Sequence, residues 1–297
     1  MKYNTLKTGL KISEISFGCM SLKASDTDND TLIAQAIDNG INLFDTADLY
    51  EKGGNEKLLG NALKGKRKDV LISTKVGNRW KADGSGWEWC PRKGHILTAV
   101  DDSLRRLQTD YVDLYLLHGG TIEDPIDEAV EAFERLVEMG KIRAYGLSSI
   151  RPNVIHEYVS RSNIAAVMTQ YSLLDRRPEE ATLQLLEDNA IGVLARGTVA
   201  SGLLAGKPAA PYLGLSDAEV AVVQERLSSN LTQGRSMAQT AVRYVADNAS
   251  VTSAIVGIRT AQQLEEALSA GAAPALTGSK RVQLKNIWTG TTYTEHR

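Results

Sequence analysis

Three short apolar runs each end in a residue able to handle protons or charge: Ile41-Asn42-Leu43-Phe44-Asp45, Val70-Leu71-Ile72-Ser73-Thr74-Lys75 and Leu114-Tyr115-Leu116-Leu117-His118. A fourth candidate, Tyr50, lies just past Asp45. An unpaired charge in a buried site is costly, so Asp45 and Lys75 are expected to pair. A phenol close to that lysine is expected to have its pKa lowered from about 10 towards working pH. A general acid for the reduction of a carbonyl group requires such a phenol. Taken singly, an Asp, Lys or His at a strand end is more often a loop cap or a solvated residue, and a loop tyrosine usually packs. His95, His156 and His296 stay in that class. The four together, in register with three strand ends, carry the functional reading.

The elements that position them follow from hydrophobic periodicity. After an opening hairpin (Lys2 to Leu6, a turn at Thr8-Gly9, Leu10 to Ile12), eight strands are expected. They are Ile15–Cys19, Ile41–Asp45, Val70–Lys75, Val112–His118, Ala144–Ser148, Ala165–Gln170, Gly192–Arg196 and Ser253–Gly257. Amphipathic helices are expected between them at Asp30–Asn39, Glu56–Leu63, His95–Leu107, Ile126–Met139, Arg151–Arg161 and Glu179–Asp188, with a last helix at Ser279–Trp288. Strand–helix alternation predicts a parallel sheet, and eight repeats in this length predict an α/β fold: an eight-stranded parallel β/α (TIM-type) barrel with an N-terminal hairpin. Active sites of such barrels form at the C-terminal ends of the strands, where Asp45, Lys75 and His118 fall. The stretch Gly206–Leu215 reads as a long loop, and no composition shift divides residues 1–297 into more than one domain.

Composition narrows the partners. The 297 residues carry 34 basic and 36 acidic side chains, a net charge of −2, which gives no case for nucleic acid or an anionic membrane. Any phosphate recognition is expected to be local. The two cysteines, Cys19 and Cys90, match no metal spacing and suit a reducing compartment. With no signal-peptide pattern and no run of about 18 apolar residues, the cytoplasm is the expected location. Scattered histidines without a carboxylate cluster imply no metal.

The motifs resemble those of the aldo-keto reductase family over nearly the whole chain. Phe44-Asp45-Thr46-Ala47-Asp48-Leu49-Tyr50 followed by Gly54-Asn55-Glu56 resembles the family's Asp-x-x-x-x-Tyr segment with its Gly-Asn-Glu. Ile72-Ser73-Thr74-Lys75 resembles the lysine strand, and Asp110-Tyr111-Val112-Asp113-Leu114-Tyr115-x-x-His118 the histidine segment. Gly146-Leu147-Ser148-Ser149 resembles the strand whose end meets the nicotinamide. The resemblance implies that Asp45, Tyr50, Lys75 and His118 form the catalytic tetrad of an NADPH-dependent carbonyl reductase.

It also implies a cofactor site for NADP(H). Ser148 and Ser149 fall where the family places a Ser-Asn pair on the carboxamide, Ser149 departing from that pattern. Gln170 falls in the Gln-x-x-Tyr region, although counting back from Tyr171 puts Met168 at the glutamine's place. Arg196 stands where many members stack an aromatic ring on the nicotinamide; a planar guanidinium can stack too. Gly197, Ser201 and Gly202 resemble the loop over the pyrophosphate. Arg259 opens the helix after the eighth strand, and Arg259, Gln263 and Glu266 are implied on the 2′-phosphate and adenine. A helix N-terminus is a ready anion site, and a guanidinium adds a fork suited to phosphate.

Trp80, Trp87 and Trp89 cluster after the lysine strand and are expected to wall an apolar substrate pocket, or in part to anchor a long loop. Cys19-Met20 either lines the floor of the cofactor site or packs in the core. Two rival functions remain: a Schiff-base aldolase with Lys75 as nucleophile, and a non-catalytic NADP-binding regulatory subunit. The natural carbonyl substrate, the physiological direction and the oligomeric state are not legible in the residues.

Overall fold

A computed structural model describes residues 1–232 and 234–297. It opens with an antiparallel hairpin, β1 (Tyr3–Thr5) and β2 (Lys11–Ser13), paired from Tyr3↔Ser13 to Thr5↔Lys11. The chain then alternates β3 (Ile15–Gly18), α1 (Asn29–Asp38), β4 (Leu43–Asp45), α2 (Gly54–Ala62) and β5 (Leu71–Val76). A second small hairpin, β6 (Asn78–Trp80) and β7 (Trp87–Trp89), precedes α3 (Lys93–Leu107). There follow β8 (Val112–Leu117), α4 (Ile126–Glu138), β9 (Ile142–Ser148), α5 (Pro152–Arg161), β10 (Ala166–Gln170), α6 (Thr182–Asp188) and β11 (Gly192–Arg196). The remainder holds α7 (Asp217–Ser229), α8 (Met237–Ala246), β12 (Val251–Gly257), α9 (Ala261–Ala272) and α10 (Gly278–Lys285).

Strands β3, β4, β5, β8, β9, β10, β11 and β12 pair in parallel in that order, and β12 returns to β3 to close the barrel. This is the eight-stranded β/α barrel with an N-terminal hairpin that the alternation predicts. Period-two side chains divide the core into two layers. Outward residues such as Phe17, Phe44, Val167 and Val193 pack under the helices, while Leu43, Leu114, Leu116, Met168, Leu194 and Ile255 fill the barrel. Leu6 and Ile12 of the hairpin belong to that inner cluster and so stopper one end of the barrel. Burying each such Leu or Ile side chain contributes roughly 1.5–3 kcal/mol. One glycine is dictated by closeness: a Cβ at Gly146 would stand 2.1 Å from the Ala166 carbonyl oxygen of the neighbouring strand.

Three local features differ from the sequence pattern. The tryptophan segment is a hairpin, held at its turn by the Asp83 carboxylate accepting from the Ser85 N–H at 2.9 Å. Helix α6 starts at Thr182 because Arg177–Glu180, opened by Pro178, forms a separate 3-10 turn. Helix α10 stops at Lys285, and Trp288 turns away to donate its indole N–H to the Leu173 carbonyl at 2.5 Å. Among the described residues no helix is long and apolar enough to cross a membrane.

Candidate active site

Asp45 ends β4, Lys75 lies on β5, and the register Asp45↔Ser73 sets the two strands side by side. The Lys75 ammonium donates to both oxygens of Asp45 at 2.8 Å and to the Thr46 carbonyl at 2.7 Å. The Ser73 hydroxyl donates to Asp45 Oδ1 at 2.6 Å. Past the strand the chain turns back, and Tyr50 brings its ring centroid to 5.1 Å from Lys75 Nζ. His118, one residue beyond β8, stands edge-on to Tyr50 with ring centroids 6.0 Å apart. The four residues therefore meet at one mouth of the barrel.

The electrostatics follow from burial. Burial works to lower the Lys75 pKa, but the neighbouring Asp45 and Tyr50 more than offset it, and the amine is held above its ordinary value as an ammonium. For Tyr50, burial raises the phenol pKa, Lys75 pulls it down and Asp45 pushes it up; the net direction is upward from 10. This corrects the expectation of a lowered phenol: in the free protein desolvation outweighs the ammonium. His118 is pushed down to about 3, first by burial and then by the charges of Lys75 and Arg196, so its ring is neutral at ordinary pH.

The residues expected on the nicotinamide side lie at the ends of the next strands. Ser148 and Ser149 are buried at the end of β9, and the Ser149 hydroxyl accepts from the Arg151 N–H at 3.2 Å. Met168 points into the barrel core. Gln170 and Arg196 are register partners on β10 and β11, and Arg196 Nη1 donates to Gln170 Oε1 at 2.9 Å. Gln170 Nε2 donates in turn to the Tyr212 hydroxyl at 3.0 Å. After β11 the chain runs through left-handed backbone at Gly197, Ala200, Ser201 and Gly202. Lys207 folds back to donate to the Ser201 carbonyl at 2.7 Å. At the start of α9, the Thr260 side chain caps the Gln263 N–H, and Gln263 Oε1 accepts from the Arg259 N–H at 2.9 Å. The Arg259 side chain is exposed and in no ion pair among the described residues. Glu266 is partly engaged, accepting from the Ser236 hydroxyl at 2.7 Å.

Residues 14–288 match the model of the Aldo/keto reductase family. The chain belongs to that family. The structure of aldo-keto reductase AKR11C1 from Bacillus halodurans, in its holo form, superposes with a TM-score of 0.95 at 44% identity, covering 100% of this chain and 99% of that one. The uncharacterized oxidoreductase YqkF of Bacillus subtilis is 45% identical over 97% of this chain and 96% of its own length. Aldo-keto reductase yakc [NADP(+)] of Schizosaccharomyces pombe is 32% identical over 67% of this chain and 62% of its own.

In this aldo/keto reductase the three tryptophans do not act alike. Trp80 and Trp87 face one another across the β6–β7 hairpin, Trp87 largely exposed and Trp80 under Lys52, whose Nζ lies 5.0 Å from its ring. Trp89 packs on Gly77 and Gly119 and donates to both oxygens of Asp124, at 2.9 and 3.0 Å. It anchors the hairpin. At the end of β3, Cys19 is fully buried while Met20 is 65% exposed, so the pair divides between core and mouth. Three residues at the mouth were not singled out from sequence. Lys207 and Tyr212 lie in a stretch legible only as loop, and their signal, a cation and a phenol among glycines and prolines, is weak. Thr46, whose carbonyl holds Lys75, acts through its backbone, which carries no residue-type signal.

Proposed function

We propose that this protein reduces an aldehyde or ketone to the alcohol with NADPH, Tyr50 giving the proton. One arrangement carries the reading: a buried Lys75 ammonium, gripped by Asp45, faces Tyr50 at 5.1 Å beside a neutral His118. Bound NADPH would supply the hydride. Tyr50 stays protonated through the neutral range and donates to the oxygen as negative charge develops on it; the fixed ammonium behind the ring stabilises the phenolate left behind. The neutral imidazole of His118 retains one N–H with which to orient the carbonyl oxygen. Asp45 keeps Lys75 charged and in place.

The residues present suit that cofactor. Ser148, Ser149 and Gln170 offer hydroxyl and amide groups to the carboxamide, and the Arg196 guanidinium offers a flat face beside them. The backbone at Gly197, Ser201 and Gly202, with the nearby Lys207, forms a cationic turn suited to the pyrophosphate. The exposed guanidinium of Arg259, together with the α9 N-terminus, favours a 2′-phosphate over a bare hydroxyl. Gln263 and Glu266, on the same helix, would meet the adenine. The printed name of the Schizosaccharomyces pombe relative, which carries NADP(+), agrees. Trp80 and Trp87 would wall the substrate entrance.

The same geometry weighs against the Schiff-base aldolase. Imine formation needs a neutral amine with a free lone pair, whereas the Lys75 ammonium is held above its ordinary pKa with three acceptors around it. The deciding experiment follows NADPH oxidation over a panel of aldehydes and ketones. Turnover of some members supports the reading. Tight NADPH binding with no turnover of any would leave the regulatory-subunit reading instead.

A further inference from the structure

Two consecutive side chains in the first turn of α2, Asn55 and Glu56, are completely buried. Neither caps its own helix, whose N-cap residue, Gly53, provides no side-chain cap. They reach across to the strands instead. Asn55 Oδ1 accepts from the Thr46 hydroxyl at 2.7 Å, while its Nδ2 donates to the carbonyls of Cys19 at 2.8 Å and Leu22 at 3.1 Å. Glu56 Oε1 accepts from the Thr74 hydroxyl at 2.6 Å, and its Oε2 accepts from Arg106 Nε at 2.6 Å. Thr46 directly follows Asp45, and Thr74 directly precedes Lys75.

A buried amide and a buried carboxylate are expensive choices where apolar side chains would fill the same space. What they gain is position. Thr46 binds through three groups at once: its N–H donates to the Ser73 carbonyl at 2.9 Å, its carbonyl accepts from Lys75 Nζ at 2.7 Å, and its hydroxyl is fixed by Asn55. The Thr74 hydroxyl, tied to Glu56, fixes the backbone on the other side of the ion pair. We propose that Asn55 and Glu56 form a two-pronged clamp on Thr46 and Thr74, positioning Lys75 and Asp45 so that the ammonium faces Tyr50. The inference rests on the reductase reading above and adds positioning residues to it.

The test removes each prong without changing shape. Thr46→Val and Thr74→Val lose only the hydroxyl, whereas Thr46→Ser and Thr74→Ser keep it. Two quantities are read in full-length protein. One is the alkaline limb of kcat for carbonyl reduction. The other is the tyrosinate absorbance assigned to Tyr50 by difference from the same variant carrying Tyr50→Phe, which needs no turnover. A slackened clamp weakens the hold of Lys75 on the phenolate. Each Val variant should therefore move both the limb and the titration up by about half to one pH unit and lower kcat about threefold to tenfold, the size of one lost buried hydrogen bond. KM and the NADPH dissociation constant should hold, and the Ser variants should restore the wild-type profile. Should Thr46→Val fail to fold, Thr74→Val reads the other prong in the same way. Folded Val variants with unmoved limb and titration overturn the clamp alone. A wild type that neither turns over any carbonyl nor shows a Tyr50 titration overturns the reductase reading, and the clamp with it.

Discussion

The Lys75 ammonium sits 2.8 Å from each oxygen of Asp45, in a position where its side chain is only 1% exposed. Neither charge has solvent to fall back on. Lys75→Met should therefore leave an uncompensated buried carboxylate and cost about 3–5 kcal/mol of stability. The double variant Lys75→Met with Asp45→Leu should recover much of that stability and none of the turnover. Denaturant midpoints beside kcat separate the two effects. A double variant no more stable than Lys75→Met would mean the pair is not energetically coupled.

Tyr50 can be tested without disturbing the pair. Tyr50→Phe keeps the ring beside Lys75 and His118 and removes only the hydroxyl proposed to give the proton, so kcat should fall by about 10²–10⁴-fold. NADPH affinity, measured by fluorescence titration, should barely change. Turnover near the wild-type level would remove Tyr50 from the mechanism.

The pH dependence of reduction follows from two groups. In the proposed mechanism the proton comes from Tyr50, whose pKa is raised above the ordinary phenol value, so the rate should fall only as pH rises through that raised pKa. His118, pushed down to about 3, stays neutral above that pH and should add no limb near the ordinary imidazole value of 6.5. Single-turnover rates should thus be flat from mildly acidic to mildly alkaline pH. A rate-limiting transition near 6.5 that disappears in His118→Asn would show that the histidine titrates after all.

NADPH differs from NADH by one phosphate, so a preference must come from groups that see it. Arg259 is exposed, in no ion pair among the described residues, and beside the N-terminus of α9. One charge-assisted contact contributes roughly 1.5–3 kcal/mol, about tenfold to a hundredfold in affinity. Arg259→Ala should weaken NADPH by that factor and leave NADH unchanged, with the wild-type preference eroding at high salt. Equal losses for both cofactors would mean that Arg259 supports the loop rather than reading the phosphate.

Much of the fold and of the candidate site is legible in the sequence because the strand ends of a barrel are marked by polar residues closing apolar runs. Alternating apolar runs gave all eight strands to within about two residues, and Asp45, Lys75 and His118 stood out as polar residues closing such runs. What escaped notice acts through tertiary contact. Asn55 and Glu56 lay within a recognised Gly-Asn-Glu motif, yet nothing in a linear pattern shows that their side chains leave the helix to hold Thr46 and Thr74. The direction of the Tyr50 shift is not legible in the sequence for a related reason: pairing with Lys75 can be guessed from residue types, whereas the extent of burial cannot. Trp89 shows the same limit. Its role as an anchor depends on Asp124, 35 positions away.

Asp48, two residues before Tyr50, makes the site costly at alkaline pH. It is buried, its Oδ1 has no hydrogen-bond partner among the described residues, and its pKa is raised from 3.8 to about 8, by burial first and then by the charge of Glu56. The fold thus keeps a neutral carboxyl that the unfolded chain would ionise. Between about pH 4 and pH 8 the unfolded state releases this proton and the folded state retains it, so stability should decline as pH rises, by about 1.4 kcal/mol per pH unit at most. Asp48→Asn holds a neutral group of the same shape at every pH. It should match the wild type near pH 3, where both carry an uncharged side chain, and be increasingly more stable towards pH 8. Urea denaturation at several pH values measures the difference between the two proteins. A difference that stays constant with pH would show that Asp48 ionises alike in the folded and unfolded chains.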